Sequence, residues 1–459
     1  MMDRLIELAR YHEATKHSLA SLRAGPQHLD WGNLPLPFKI YPELEGVAPP
    51  GDVGRLCLLS NGVLRWRRTV AGEVHGFRAA PCTGALYHVE LYLATAEREG
   101  LPAGLYHYGA HDHRLRQLRE GDLRGVLAEA AGDFPALADA PLVLVLTSTF
   151  WRNAWKYRAR AYRHAFWDSG AVLANVLELA AGEGLRTAAV MGFDDGAVNR
   201  LLGVDGEREA AVAVVALGDG TPAPPAPARE PPVLEPVTTP LSSGEVRYPE
   251  IEAAHRASSL TSGRAAARWR DGGRAASPGI PPALVPSAEE SIRGRRSTRR
   301  FGRGAMSRKV LEHLLAAAAA PVPGDSFAPG PLTPFVIVNA VDGLRPGAYG
   351  PELELIRASD LRRQAAALAL GQQLGGEAAA DIYFLSDLQA VGAQLGERGY
   401  RVAQMAGGIA GARVELSATA QGLGASGLTF FDDEVTKFFE PAAAGRQVMY
   451  LVAVGPRPA

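Results

Sequence analysis

Cysteine is scarce in this 459-residue sequence, in which Cys57 and Cys82 are the only two. Two thiols are too few for a disulfide framework or for a metal cluster built from cysteines alone. The histidines do not fall at ligand spacing on one helix face. The sequence therefore predicts no metal site.

An excess of charge of either sign is also missing. The chain has 48 Lys and Arg residues against 49 Asp and Glu residues, which gives a formal net charge of -1. Proteins that bind nucleic acid over a broad surface carry a positive balance. We therefore expect no nucleic-acid partner.

Long apolar runs are missing as well. No run reaches the roughly 18 residues that a membrane-spanning helix needs. The first residues, MMDRLIELARYHEATKHS, carry charges throughout and contain no apolar signal-peptide core. We expect a cytoplasmic protein in a reducing compartment, with no membrane partner.

Length and proline content indicate how the chain divides. More residues are present than a single core usually supports, and 47% hydrophobic content is typical of globular proteins. The chain between residues 218 and 287 is rich in proline, which favours extended or irregular structure. We predict an N-terminal domain at residues 1–219, a connection at 220–288 and a C-terminal domain at 289–459.

Two pairs of segments repeat in the same order along the chain. Tyr162–Asp195 aligns without a gap to Tyr400–Asp433, at an offset of 238 positions (400 − 162 and 433 − 195). Gly104–Tyr108 matches Gly347–Pro351, and each closely follows a proline. These matches predict an internal duplication. Duplicated units often pack like the subunits of a homodimer, so we expect an intrachain pseudo-dimer that needs no second chain.

Both copies contain strands and a long helix. Runs rich in aliphatic and β-branched residues predict strands at Ala85–Ala94 and Pro141–Thr149, and in PFVIVNA and RQVMYLVAVG of the second copy. The segments that begin at Tyr162 and Tyr400 have the apolar periodicity of helices that bury one face. The predicted fold class is α+β, made of tandem duplicated domains.

An arginine cluster, SIRGRRSTRRFGRGAMS, opens the second copy. The planar guanidinium of arginine donates parallel hydrogen bonds to phosphate, so Arg295, Arg296, Arg299 and Arg300 together could neutralise one. Ser297 and Thr298 would add hydroxyl donors, and Ser307 could cap the following helix. A solvated basic turn before a helix has the same composition, so composition alone leaves both interpretations open.

The heptapeptide RRSTRRF resembles the opening signature of the nitroreductase-like FMN oxidoreductases. The resemblance implies that Arg295, Ser297 and Arg299 bind the FMN phosphate, with Arg296 beside them. QGLGASGLTFF resembles the Gly-rich segment of this family that lies along the isoalloxazine ring. It implies ring contacts by four residues: Gly424, Ala425, Ser426 and Gly427. A helix C-cap followed by a turn would look the same.

The first copy carries different motifs. RAAPCTGALYHVELY (residues 78–92) resembles RAAPSAGALYPVELY of the SagB-type dehydrogenases, a branch that oxidises thiazoline and oxazoline rings in peptides. The resemblance implies a flavin-contacting turn at Pro81, Cys82, Thr83 and Gly84. Cys82 stands where the pattern has serine, and His88 stands where it has proline.

A Lys-Tyr pair in WRNAWKYRARAYRHAFWDSG resembles the pair associated with azoline oxidation in the same branch. It implies that Lys156 removes a carbon-bound proton and that Tyr157 donates a hydrogen bond or relays the proton. A lysine base needs burial or nearby cations that lower its pKa, and four arginines lie close in sequence: Arg152, Arg158, Arg160 and Arg163. A polar helix face is the alternative.

Each copy lacks the motif that the other copy has. Together they supply one complete set, which predicts one FMN per chain at the interface of the pseudo-dimer. The resemblance implies an FMN-dependent dehydrogenase of azoline rings in a ribosomal peptide, with dioxygen as electron acceptor. The alternatives are an NAD(P)H-dependent reductase of small nitro, quinone or ene compounds, and a non-catalytic flavin-binding scaffold.

Overall fold

The computed structural model describes residues 6–25, 28–68, 72, 74–272, 278–327 and 331–458. The chain forms two compact units. The N-terminal unit consists of His28–Pro282 with Pro321–Pro329. The C-terminal unit consists of Met1–Gln27, Ala283–Ala320 and Gly330–Ala459.

The helices of the described residues, in chain order, are α1 (Ile6–Ala14), α2 (Leu19–Ala24), α3 (Gly51–Asn61), α4 (Arg124–Ala130), α5 (Pro135–Asp139), α6 (Phe150–Tyr157), α7 (Ala161–Gly182), α8 (Asp195–Leu202), α9 (Pro249–Ala257), α10 (Gly263–Gly272), α11 (Ala288–Gly294), α12 (Arg308–Ala319), α13 (Arg362–Leu368), α14 (Gln373–Glu377), α15 (Leu388–Leu395), α16 (Arg398–Ala420) and α17 (Asp432–Phe438). None of these helices is both long enough and apolar enough to cross a membrane.

The strands of the same residues are β1 (Gly46–Val47), β2 (Val63–Arg68), β3 (Val74–Arg78), β4 (Val89–Thr95), β5 (Gly104–Gly109), β6 (Arg114–Glu120), β7 (Leu142–Thr149), β8 (Thr187–Val190), β9 (Glu209–Leu217), β10 (Met306–Ser307), β11 (Thr333–Val338), β12 (Val341–Asp342), β13 (Gly347–Tyr349), β14 (Leu355–Ala358), β15 (Ala380–Ser386), β16 (Leu423–Gly427) and β17 (Gln447–Pro456).

The N-terminal unit is built on an antiparallel sheet of seven strands in the order β1-β6-β5-β4-β7-β9-β8. Strands β4, β7 and β9 are buried at every position, because their mostly apolar side chains are covered on both faces. Helix α7 packs against these three strands and is buried through most of its length. Strands β2 and β3 form a separate hairpin.

The C-terminal unit repeats this plan. Its antiparallel sheet has the order β14-β13-β11-β15-β17-β16, and the buried helix α16 packs against β15, β16 and β17. Helix α12 begins after Ser307, whose hydroxyl accepts a hydrogen bond from Val310 N at 3.3 Å. The predicted cap is therefore confirmed.

The strand order confirms the internal duplication. Strands β6-β5-β4-β7-β9-β8 correspond one to one with β14-β13-β11-β15-β17-β16. The two aligned segments form α7 and α16, each followed by an edge strand, and the shorter match lies on the corresponding strands β5 and β13. The four predicted strands are present as β4, β7, β11 and β17, although β4 begins at Val89 rather than Ala85.

The unit boundaries differ from the predicted positions at both ends of the N-terminal half. The first helix, α1, belongs to the C-terminal unit, where the Glu397 carboxylate accepts hydrogen bonds from Glu7 N (3.3 Å) and Leu8 N (3.1 Å). His12 Nδ1 lies 3.1 Å from the Tyr400 hydroxyl. These contacts join residues almost 390 positions apart, so local sequence patterns cannot reveal them.

Pro321–Pro329 belongs to the N-terminal unit, because part of this segment lies along the edge strand β8. Ala189 N donates to Pro323 O at 2.9 Å, and Asp325 N donates to Ala189 O at 3.1 Å. The Asp325 carboxylate accepts from Met191 N and Gly192 N at 2.9 Å and 2.8 Å. The segment thereby satisfies backbone groups that an open sheet edge leaves unpaired.

The proline-rich region differs from a plain connection. Residues 221–248 contain no helix or strand, as its composition suggested, but α9 and α10 follow within the predicted linker. The region to Pro282 belongs to the N-terminal unit. Proline content therefore identified the irregular part and missed the two helices.

Gly411 on α16 generates a stability prediction. A Cβ at Gly411 would lie 2.2 Å from a ring carbon of Tyr450, whereas a Cβ at Gly182, the last residue of α7, would meet nothing within 4 Å. We expect Gly411→Ala to destabilise the protein by about 1–3 kcal/mol through overpacking. Gly182→Ala should leave stability unchanged or raise it by up to about 1 kcal/mol. Thermal unfolding of both variants tests this, and equal midpoints would contradict it.

Candidate active site

The turn at Pro81–Gly84 joins β3 to β4 in the N-terminal unit. Three residues in and after it have positive φ: Gly84 (67°), Ala85 (54°) and Tyr87 (47°). Glycine adopts this conformation readily, but alanine and tyrosine do so only under strain. Strained backbone of this kind persists where the surrounding contacts over-determine it.

Asp168 of α7 supplies these contacts. Its buried carboxylate accepts hydrogen bonds from Thr83 N (2.9 Å), Thr83 Oγ1 (2.9 Å), Cys82 Sγ (3.1 Å) and His88 Nε2 (2.7 Å). The other ring nitrogen of His88 lies 2.9 Å from Ser148 Oγ. Burial and the neighbouring Asp168 carboxylate raise the pKa of Cys82 well above its usual value, so the thiol is protonated.

Tyr157 lies against the same turn. A Cβ at Gly84 would be 2.9 Å from the Tyr157 hydroxyl oxygen, so only glycine leaves room for the tyrosine. Burial, followed by Asp168 and Cys82, raises the pKa of Tyr157. The phenol is therefore a hydrogen-bond donor at neutral pH, and the predicted turn and Tyr157 are neighbours in one unit.

The environment of Lys156 is not that of a buried general base. It is exposed, and its Nζ lies 5.3 Å above the ring centroid of Tyr157, within cation–π distance. Of the neighbouring arginines, Arg152 is buried in an ion pair with Glu90, and Arg158 turns the chain sharply at φ 53° and ψ −140°. Lys156 and Tyr157 therefore share the end of α6 but have different environments.

The arginine motif and the Gly-rich strand are neighbours in the C-terminal unit. Ser297 forms a parallel bridge to Ala425, and Thr298 N donates to Ala425 O at 2.9 Å. Buried Arg295 donates from Nη1 to Glu415 Oε2 at 3.2 Å, and Gly427 N donates to Glu415 Oε1 at 3.2 Å. Glu415 of α16 thus joins the two predicted segments.

The predicted phosphate-side residues have different degrees of burial. Arg295 is buried, Arg296 and Ser297 are half-buried, and Arg299 is exposed. Arg296 Nη1 donates to the carbonyl oxygens of Arg293 and Arg295. Partial burial, then the charges of Arg295 and Arg457, lowers the pKa of Arg296.

Packing inside the C-terminal unit explains the small residues of β16. A Cβ at Gly424 would lie 2.3 Å from Thr298 Oγ1, and one at Gly427 would lie 2.6 Å from the Tyr450 hydroxyl oxygen. Gly424, Ala425 and Ser426 are buried, while Gly427 is exposed. Close packing inside the unit explains both glycines, whereas the sequence argument invoked approach to a flat ring.

Sequence reasoning missed Asp168 and Glu415, the two carboxylates that hold these segments. A signal was present, because each acidic residue interrupts a largely apolar helix, and a buried charge needs partners. Their partners could not be named from the sequence. Asp168 lies 85 positions from Thr83, and Glu415 lies 120 positions from Arg295.

Comparisons with known proteins agree with the duplicated fold. A model of the nitroreductase family matches residues 59–219 and 292–456. A crystal structure of an Anabaena variabilis protein assigned as a nitroreductase is 29% identical, with a TM-score of 0.80, and the match covers 98% of this chain and 99% of that one.

Two curated relatives match shorter regions. MJ1384 of Methanocaldococcus jannaschii, assigned as a nitroreductase, is 30% identical over 130 residues, which are 28% of this chain and 66% of that protein. The microcin B17-processing protein McbC of Escherichia coli is 28% identical over 147 residues, which are 31% of this chain and 54% of McbC. The matches thus span between about half and two thirds of the relatives' own length.

The contact between Gly84 and Tyr157 gives a prediction on stability. Gly84→Ala should cost about 1–3 kcal/mol, because the new Cβ meets the phenol and the residue must keep a positive φ. In a Tyr157→Phe background the same substitution should cost less, since the hydroxyl is gone and only the backbone strain and weaker ring contact remain. Chemical denaturation of the four proteins measures this coupling. Equal costs in both backgrounds would show that the phenol does not pack on the turn.

Proposed function

Because the chain belongs to the nitroreductase family and is on that ground an oxidoreductase, we propose that it is an FMN-dependent enzyme that dehydrogenates azoline rings of a ribosomal peptide to azoles. The observation that carries the proposal is the Tyr157 hydroxyl against the Gly84 turn, with Lys156 beside it. A proton donor and an amine thus adjoin a turn that resembles a flavin-contacting one. The similarity to a microcin-processing protein supports a peptide substrate.

The residues present suit the phosphate and ring of FMN. Arg295, Arg296 and Arg299 provide guanidinium groups close together in sequence, and Ser297 provides a hydroxyl donor. On the ring side, the candidates are the Pro81–Gly84 turn and the strand Gly424–Gly427, of which Gly427 is exposed. We propose that the protein binds one FMN per chain. Bound FMN would supply the acceptor for the hydride that the azoline ring loses.

The proposed roles of the two side chains follow from their settings. The Tyr157 phenol is protonated, so it donates a hydrogen bond to the ring heteroatom and withdraws charge from the adjacent carbon. The Lys156 amine accepts the proton from that carbon. The proton and the hydride together account for the two hydrogens lost, and dioxygen is the proposed final electron acceptor.

A second candidate is an NAD(P)H-dependent reductase of nitro, quinone or ene compounds. The exposure of Lys156 favours it, because a general-base lysine is usually desolvated. Rapid NADH or NADPH oxidation with menadione or a nitroarene, together with no turnover of an azoline peptide, would replace the first proposal with this one.

The first prediction concerns flavin content. We expect the purified protein to release about one FMN per chain on denaturation, measured by absorbance. Two FMN per chain would mean that each unit has a complete site, and would contradict the prediction that the chain has one complete set of flavin-binding motifs. No flavin after reconstitution would favour the non-catalytic scaffold and contradict the enzyme proposal.

The second prediction concerns the phosphate. We expect Arg299→Ala to weaken FMN binding about 10- to 100-fold, because charge-assisted hydrogen bonds contribute about 1.5–3 kcal/mol each. Arg299 is exposed, so its loss leaves no buried charge unpaired; Arg295→Ala should weaken FMN at least as much, but also leaves Glu415 without its partner. Exposed Arg303→Ala is the control. If fluorescence titration gives one Kd for all of them, the phosphate assignment is wrong.

The third prediction concerns the Lys-Tyr pair. Lys156→Ala should lower azoline oxidation about 10²- to 10⁴-fold, the usual contribution of a general base, while the flavin spectrum stays unchanged. Tyr157→Phe should lower kcat with little change in FMN content. Exposed Lys309→Ala should retain full activity. Undiminished turnover in the Lys156 variant would remove it from the mechanism.

A further inference from the structure

Three side chains of different chemistry lie close together at the Pro81–Gly84 turn: Cys82, His88 and Asp168. One ligand atom from each, the thiol sulfur, an imidazole nitrogen and a carboxylate oxygen, lies within 4.8 Å of the other two. We propose that this cluster binds a zinc ion, or a divalent cation with similar preferences, in the N-terminal unit. The inference uses residues of this unit alone and does not depend on the FMN proposal.

The three ligand types suit zinc. Zinc in proteins is bound by thiolate, imidazole and carboxylate groups, and a mixed set of sulfur, nitrogen and oxygen selects it over magnesium or calcium. Ligands around a tetrahedral zinc ion lie roughly 3.3–3.6 Å apart, given bond lengths of about 2.0–2.3 Å. Asp168 Oδ2 is now 2.7 Å from His88 Nε2 and 3.1 Å from Cys82 Sγ. Each of these two distances would lengthen by about half an ångström around a bound ion.

The outer contacts of the cluster orient each ligand. His88 Nδ1 lies 2.9 Å from Ser148 Oγ, which leaves Nε2 directed at Asp168. Tyr87 N donates to Cys82 Sγ at 3.1 Å, and Thr83 Oγ1 donates to Asp168 Oδ1 at 2.9 Å. Metal ligands typically have such second hydrogen-bond partners, which fix the imidazole tautomer and the orientation of the carboxylate. All three ligands have one here.

Charge balance supports a divalent ion at this depth. His88 is fully buried and Asp168 is 5% exposed, while Cys82 is half-buried. A dication with one thiolate, one carboxylate and a neutral imidazole has no net charge, so the occupied cluster leaves no uncompensated charge in the interior. The Cys82 proton leaves to solvent when the metal–sulfur bond forms. The fourth position is filled by water or by a substrate atom.

Two of the ligands are among the three residues at which this segment departs from the dehydrogenase pattern it resembles, the third being Thr83 in place of alanine. Cys82 replaces serine and His88 replaces proline, and both departures point at Asp168. A serine and a proline in the same places would leave one strong metal ligand. Without a metal, the thiol and the imidazole simply donate hydrogen bonds to the carboxylate. The two states differ in composition and in the ionisation of sulfur, so they can be separated by measurement.

The test uses the full-length, untagged protein after dialysis against a weak chelator. We expect about one zinc per chain by elemental analysis, and X-ray absorption at the zinc edge should show one sulfur neighbour at about 2.3 Å. His88→Gln and Cys82→Ser should lower zinc content at least tenfold. Cys57→Ser is the matched control, because Cys57 is a buried thiol in the same unit and lies outside the cluster; it should retain the metal.

Three results would overturn the inference. The first is wild-type protein without zinc that takes up none from equimolar zinc in competition with a micromolar chelator. The second is zinc without a sulfur neighbour, and the third is equal zinc in all variants; either would mean an adventitious ion only. The first two use the wild-type chain, so they stand even if a variant fails to fold. Flavin measured in the same sample separates this inference from the FMN proposal, since zinc without flavin supports one and contradicts the other.

Discussion

A buried carboxylate on the central helix holds the motif segment of each unit. Asp168 of α7 binds the Pro81–Gly84 turn through backbone and side-chain donors, and Glu415 of α16 binds Arg295 and Gly427. A carboxylate in the interior is costly unless donors satisfy it. Helix and segment therefore depend on each other: the segment satisfies the charge, and the buried helix fixes the segment. Rigid placement of loop residues follows from the packing of the helix rather than from the loop itself.

Much of the fold could be predicted from the sequence, because duplication and periodicity are visible in local patterns. The aligned segments correspond to α7 and α16, and the strand-forming runs correspond to central strands of both sheets. Local sequence patterns could not show that two segments belong to a unit distant from them in the sequence. The placement of α1 with α16, and of Pro321–Pro329 along β8, depends on contacts between residues far apart in sequence, such as Glu397 to Leu8 N and Asp325 to Met191 N. Such contacts leave no periodic pattern in the sequence, because the residue type of each partner does not stand out from the residues around it.

Sequence motifs identified segments that are neighbours within a unit, but they did not identify the carboxylates that hold those segments. RRSTR and the Gly-rich strand are neighbours, and Tyr157 does lie at Gly84. The environment of Lys156 was not predictable, because α6 ends at Tyr157 and leaves the lysine exposed while neighbouring Arg152 is buried against Glu90. Sequence spacing did not bring Cys82, His88 and Asp168 together. They come from a turn, the residue before β4 and a distant helix, and metal-ligand spacing rules apply to ligands close in sequence.

The two copies keep the same strand order while their motif segments differ. The physical reason is that the strand order and the motif segments are stabilised by different numbers of contacts. A sheet order is set by many buried side chains, so it survives substitution at any one of them. A turn such as Pro81–Gly84 is set by a few donors to one carboxylate. Asp168 requires hydrogen-bond donors at this depth but does not specify their type, so an imidazole and a thiol, which is a weaker donor than a hydroxyl, can both meet the requirement. Thiol and imidazole are also strong zinc ligands. The constraint that fixes the turn therefore also brings the thiol and the imidazole of the proposed zinc site to one oxygen atom of Asp168.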